Sequence, residues 1–315
     1  MDRLPFPHLA LALLVVAVWG TNFVVIRVGL DHLPPLLFAG LRFALAGLPA
    51  LLIPRPRLSW GSLAAYGLLI GAGQFGLLFV AMRGHISPGL ASLVVQTQVF
   101  FTIGLAAWWL GERVRPVQVA ALAVAASGLL LIALHADGAA TPPSMPPSTP
   151  PSTPPTTPPT TPLGLGLVLL AALCWAGGNL VAKASGARSL LPVVAWGSLF
   201  SVPPLLALSL AFEGWPAIRA GLAAADAATW GAVAWQAAAN SLFGYAAWGW
   251  LLARHPAVLV TPLALLVPVF GLGASAVWLG EPLPPWKLGA AALVMGGLAA
   301  GALWPLRRPR RATPG

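Results

Sequence analysis

Apolar runs, each about as long as a bilayer is thick, follow one another along nearly the whole chain, and nothing else limits the fold as strongly. A membrane-spanning helix needs about 20 mostly apolar residues. Ten such stretches can be marked, at approximately 9–29, 35–53, 62–82, 89–110, 116–134, 163–184, 191–212, 229–252, 257–279 and 286–304. Charged residues make up only 8% of the 315 positions, against about a quarter in a soluble domain. So few charges cannot clothe a water-facing surface, which excludes a soluble globular protein. Several stretches open with proline (Pro35, Pro88, Pro116, Pro285), which suits the first turn of a helix. The predicted fold class is an all-α membrane protein with ten transmembrane helices.

Between the fifth and sixth stretches lies TPPSMPPSTPPSTPPTTPPTTP, residues 141–162, of which eleven are proline. Proline removes backbone donors and forbids a helix interior, so this segment cannot cross the bilayer. It reads as an extended spacer in the polyproline II conformation. The net charge is +10, but the cations stand singly or in pairs between apolar runs. They form no basic face with interleaved aromatics, so nucleic acid is not an expected partner. Lys and Arg instead set sidedness: twelve fall on the side that holds both chain ends and four on the other. That predicts cytoplasmic termini and an external proline linker. The single cysteine, Cys174, allows no intrachain disulfide, and no Cys/His spacing suits a metal, so no cofactor is expected. The N-terminal apolar run continues to Gly29 without a small-x-small cleavage site and reads as a retained first span rather than a signal peptide.

The two halves of the chain echo each other. LPPLLFAGLRF (33–43) matches LLPVVAWGSLF (190–200), and WLGERVRPVQ (109–118) matches WLGEPLPPWK (278–287). Near the start, WGTN (19–22) resembles WAGGN (175–179). The offset grows from 157 to 169, which predicts extra residues around GLAAADAAT in the second half. Each half holds five spans, and because five is odd the second half must be inverted relative to the first. Inverted repeats are an architecture of secondary transporters, with the substrate site near mid-membrane between the halves. The predicted organisation is a first repeat over 1–137, a linker over 138–162, a second repeat over 163–306 and a basic tail over 307–315.

With these motifs in place the chain resembles the EamA family of the drug/metabolite transporter superfamily. The resemblance runs through WGTNFVVIRVGL, GLASLVVQTQVFFTIGLAAWWLGE, CWAGGNLVAK, GYAAWGWLLARH and PLALLVPVFGLGASAVWLGE. It covers nearly everything except the proline linker, which departs from the family pattern, and the tail. The resemblance implies a ten-helix inner-membrane carrier that exports cysteine-pathway metabolites such as O-acetylserine and cysteine.

Polar residues inside the spans are the candidate site. Arg42 lies roughly 10 Å into the second span. A charge at that depth is expensive and should face the bundle interior or water, where it could attract a substrate carboxylate; the alternative is a purely structural role on backbone carbonyls. Its repeat counterpart is Leu199, so symmetry does not require it. Uncharged amides can hold both ends of an amino acid, which makes Asn22, Gln74, Gln96, Gln98, Asn179, Gln236 and Asn240 candidates beside interhelical hydrogen bonding. Gln96 and Gln98 are 200° apart on an ideal helix, so one of the two is expected to line a cavity. Trp19, Trp175, Tyr245 and Trp248 could wall it, whereas Trp60, Trp215, Trp230, Trp286 and Trp304 read as interfacial anchors. Pro262 and Pro268 should break the ninth span. Gly67 with Gly71 and Gly297 with Gly301 suit close helix packing. No span interior carries Asp or Glu. Glu112 and Glu281 are repeat-paired acids, readable as coupling groups or as helix-end bridges. No G-x-S-x-G, H-E-x-x-H or paired intramembrane aspartate speaks for an enzyme. The expected partners are a small-molecule substrate and the lipid bilayer, and the pattern is compatible with a monomer. A carrier of the same architecture for aromatic amino acids or drug-like compounds is the alternative.

Overall fold

The computed structural model describes residues 4–111, 114–136, 158–186 and 189–303. Glu112, the linker up to 157 and the tail from 304, Trp304 included, lie outside the described residues. The described chain is helical, with no strand. Helix α1 is Phe6–Gly29, α2 Pro35–Leu51, α3 Trp60–Met82, α4 Pro88–Trp109, α5 Pro116–Leu134, α6 Pro162–Ala184 and α7 Leu190–Ala224. Helix α8 runs over 227–254 in three consecutive segments, α9 is Thr261–Leu279 after a short turn at Ala257–Val260, and α10 is Pro285–Leu303. Among the described residues, helical structure therefore overlaps every stretch marked from the sequence. Among the described residues seven helices, α1, α3, α4, α5, α6, α7 and α9, are long and apolar enough to cross a membrane, and α2 is a shorter apolar helix. The middle of α8 is polar, with Gln236, Asn240 and Ser241 all buried.

The starts of the helices follow local chemistry. Proline opens α2, α4, α5, α6 and α10, where the missing N–H costs nothing. Thr161 caps α6 by accepting from the Gly164 N–H, and Asp226 caps α8 by accepting from Thr229. Those Thr229 bonds, backbone first and then hydroxyl, hold the exposed Asp226 carboxyl below its usual range, with His32 nearby. Most of the extra length of the second half falls in the helical extension Gly214–Ala224 of α7, 11 residues entered through Gly214 at φ 79°.

The helices pack in matched pairs. Helix α1 packs on the Val267–Leu279 part of α9, and α6 packs on the Gln98–Leu110 part of α4. Helix α2 lies against α7, and α5 against α10. Contacts at glycines give the direction of two of these pairs. Gly40 meets Leu206 while Gly47 meets Leu199, and Gly128 meets Val294 while Gly301 meets Ala121. Both pairs are thus antiparallel. The glycines at 67 and 71 do bring backbones together: a Cβ on Gly67 would overlap the Gly197 carbonyl oxygen, and one on Gly71 would overlap Ser201.

One end of the bundle is tied by two carboxylates, Glu281 buried and Glu213 partly buried. Glu281, 2% exposed, accepts from the Ser87 hydroxyl, from the Gly89 N–H at 3.0 Å and from Lys287 Nζ at 2.9 Å. Glu213 accepts from the Leu36 and Leu37 N–H groups at the start of α2. Negative charge at a helix N-terminus satisfies orphan donors and complements the helix dipole. At the same end His32 hydrogen-bonds Thr229 and the Thr161 N–H reaches the His85 carbonyl. The opposite end carries lighter ties, among them a 2.7 Å His8–His255 hydrogen bond and the Trp196 indole on the Ile53 carbonyl.

Candidate functional site

The site is built where the helices stop being regular. Helix α3 has a π segment at Leu68–Gly76, and α8 has one at Gln236–Phe243. Helix α4 tightens to 3₁₀ at Val95–Thr97, and α9 begins as 3₁₀ at Thr261–Leu266. Pro262 sits in that 3₁₀ turn and Pro268 in the first turn of Val267–Leu279, so the expected break in the ninth span is present. Such departures from α geometry free backbone carbonyls and re-aim side chains, and they gather at functional sites. The freed carbonyls have partners: Trp19 Nε1 donates to the Asn240 carbonyl at 3.1 Å, and Gln96 Nε2 to the Ala264 carbonyl at 3.3 Å.

Around these segments lies a cavity of about 410 Å³, within the usual range for small-molecule sites. It runs from mid-bundle toward the end marked by Leu190, Leu252 and Thr261, away from the carboxylate-tied end. Six amides line it: Asn22, Gln74, Gln96, Gln98, Asn179 and Asn240. Trp19, Trp175, Tyr245 and Trp248 wall it, with Trp19 packed at 5.2 Å against Trp248 and 5.7 Å against Tyr245, between ring centroids. No charged side chain lines it among the described residues. Asn179 Nδ2 donates to Gln98 Oε1 at 3.3 Å, joining α6 to α4. Asn22 Oδ1 and Gln74 Oε1 are buried acceptors without a partner. An unsatisfied buried carbonyl costs about 1–3 kcal/mol, and both belong to residues that line the cavity, so a ligand that donates would suit them once they turn to it.

The structure therefore gathers most of the sequence candidates, with three corrections. Gln96 and Gln98 both line the cavity. The 200° argument assumed a uniform α-helix, and the 3₁₀ turn between them removes that premise, so Gln96 faces α9 while Gln98 faces α6. Gln236 is fully buried but does not line the cavity, and neither of its amide atoms has a partner. Arg42 is fully buried and faces the bundle interior as expected, but it stands outside the cavity wall, beside Ser241. Glu281 is engaged at a helix end, remote from the cavity, and Glu112 is not described. Sequence reasoning missed Phe75, Thr261 and Ala264 among the lining residues. In sequence they look like any other residue of an apolar helix; only Pro262 hinted that Thr261 and Ala264 belong to an irregular turn.

Comparison with known proteins shows what the chain as a whole is similar to. The profile of the EamA-like transporter family matches residues 7–134 and 162–300. A "Probable amino-acid metabolite efflux pump" of Salmonella typhimurium is 42% identical over 91% of this chain and 92% of its own length. Its Escherichia coli namesake is 39% identical over the same shares. A "Probable terminal-alkyne amino-acid exporter" of Streptantibioticus cattleyicolor is 30% identical over 96% of each chain. A solved structure described only as a protein crystal structure superimposes with a TM-score of 0.61 at 19% identity, covering 96% of this chain and 99% of that one, which speaks for the fold alone.

Proposed function

The chain belongs to the EamA-like transporter family, and from that premise we propose that it is a membrane carrier, not an enzyme, exporting small amino-acid metabolites of the cysteine and O-acetylserine type by alternating access. The observation that carries the reading is the cavity lined by six amides and, among the described residues, by no formal charge. Amides offer acceptors to an ammonium group and donors to a carboxylate. The substrate class follows the names of the relatives in Salmonella and Escherichia, which speak of amino-acid metabolite efflux.

We further propose ten spans arranged as two inverted repeats, 1–137 and 163–306, joined by the 138–162 linker, with both termini in the cytoplasm. Antiparallel packing of α2 on its repeat mate α7, and of α5 on its mate α10, supports the inversion. So does the placing of π segments in α3 and α8 and of 3₁₀ turns in α4 and α9, which are repeat mates. Two oppositely oriented units offer two near-equal packings, each open to one side. On this reading the cavity is open to the cytoplasm and the external end is closed by the Glu213 and Glu281 ties.

The test is counterflow in proteoliposomes. Preloading with unlabelled cysteine or O-acetylserine should accelerate uptake of labelled cysteine, and Asn22→Ala or Gln74→Ala should cut it about tenfold, the cost of one lost hydrogen bond to a charged group. Faster uptake of an aromatic amino acid or an organic cation than of cysteine would transfer the assignment to another substrate class.

A further inference from the structure

Arg42 is the bulkiest fully buried side chain described. Its guanidinium carbon lies 3.9 Å from the centroid of the Phe75 ring and 4.5 Å from that of Phe43. One terminal nitrogen donates to Ser241 Oγ, while Nε and the other terminal nitrogen have no partner. Among the described residues no carboxylate forms an ion pair with it. A guanidinium cannot shed its charge as a buried lysine can. Two aromatic faces and a hydroxyl leave its planar fork of donors largely unused, although that fork fits a carboxylate in bidentate fashion.

The space beside Arg42 is about 10 Å³, room for about one water and no substrate. Phe75 and Tyr245 line both that space and the amide cavity. They form a partition one side chain thick. On its cavity side stand the unpartnered acceptors Asn22 Oδ1 and Gln74 Oε1, and behind it stand the unpartnered donors of Arg42. A zwitterion needs both sets. Each partition residue is also tied to a π segment: Phe75 lies inside Leu68–Gly76, and Tyr245 lies two residues past Gln236–Phe243. A π turn carries one residue more than an α turn, so moving or relaxing it re-aims the side chains around it.

We propose that Arg42 is the carboxylate anchor of the transport cycle, occluded here behind Phe75 and Tyr245 and joined to the amide cavity when that pair parts. The inference rests on the amino-acid export reading and adds to it the group that selects a carboxylate and the partition that controls access to it. Substrate enters the open cavity with its ammonium on Asn22 and Gln74. Parting of Phe75 and Tyr245 then brings its carboxylate onto Nε and the free terminal nitrogen of Arg42, and the change of packing follows.

The experiment measures competition against labelled cysteine counterflow in proteoliposomes of the full chain, comparing cysteine with cysteamine, which lacks only the carboxylate. For the unaltered protein cysteine should compete about tenfold better or more, as expected of one charge-assisted bidentate contact. Arg42→Gln should bring the two competitors to parity. A purely structural Arg42 would instead weaken both equally and keep their ratio, which would overturn the proposal. Should Arg42→Gln not reach the membrane, Arg42→Lys decides: loss of the bidentate fork should shrink the ratio about threefold or more, and an unchanged ratio refutes the anchor. Absence of cysteine counterflow in the unaltered protein would defeat the export reading itself, and the anchor with it, before any variant is compared.

Discussion

Lys287 and Glu281 depend on each other. Both are at least 94% buried, and the carboxylate also holds Ser87 and the Gly89 N–H. Lys287→Met would strand a buried charge, a loss of about 3–5 kcal/mol, seen as a lower apparent melting temperature in detergent. Adding Glu281→Gln should restore part of it, because the remaining amide can still accept from Gly89. The sequence already marked Glu281 as one of two repeat-paired acids at a helix end, and the end-bridging alternative matches its place in the structure. The repeated LGE also acquires a cause: Gly111 and Gly280 both end helices at positive φ, 67° and 64°, where a side chain is disfavoured. Glu213 was not singled out, because its partners are backbone N–H groups about 177 residues away, and no local pattern announces such a tie.

At the scale of the helix, the breaks in α3, α4, α8 and α9 matter more than the helices they interrupt. Proline made the break in α9 legible beforehand. The π segments in α3 and α8 were invisible, since one surplus residue in a turn has no composition of its own and is stabilised by what packs around it. The polar lining was legible for the opposite reason: an amide inside an apolar span stands out, whereas Phe75 does not. Close packing holds the π segment of α3 in place, with Gly71 pressed on Ser201 of α7. Gly71→Val should force the two helices apart, destabilise the protein by about 1–3 kcal/mol and slow counterflow. Gly273→Val, at a position with open space around its backbone, should leave both unchanged. Thermal unfolding and transport on the same preparations check the pair.

The whole molecule has one tied end and one looser end, and the cavity reaches toward the looser one. In a Cys174→Ser background, a thiol placed by Leu252→Cys should react with a membrane-impermeant maleimide added from the cytoplasmic side. One placed by Leu36→Cys, beside the Glu213 tie, should resist from both sides until substrate is cycling. Labelling of Leu252→Cys from outside alone would reverse the assigned sidedness. The helical class could be argued from the sequence because it depends on a sum over many residues, apolar length, and the proposed repeat and sidedness rest on sums of the same kind, matched motifs and the bias of Lys and Arg. Where Arg42 sits relative to the cavity depends on two aromatic rings, and no sum over the chain reports that.

The proposed cycle has an energetic corollary. Arg42 stays with the protein and returns to its starting place over a full cycle, and the cargo's ammonium and carboxylate cancel, so a full cycle transfers no net charge across the bilayer. Such a step is electroneutral. Membrane voltage, worth about 2.3 kcal/mol per charge per 100 mV, then exerts no pull on it, and the direction of flow is left to the concentrations on either side.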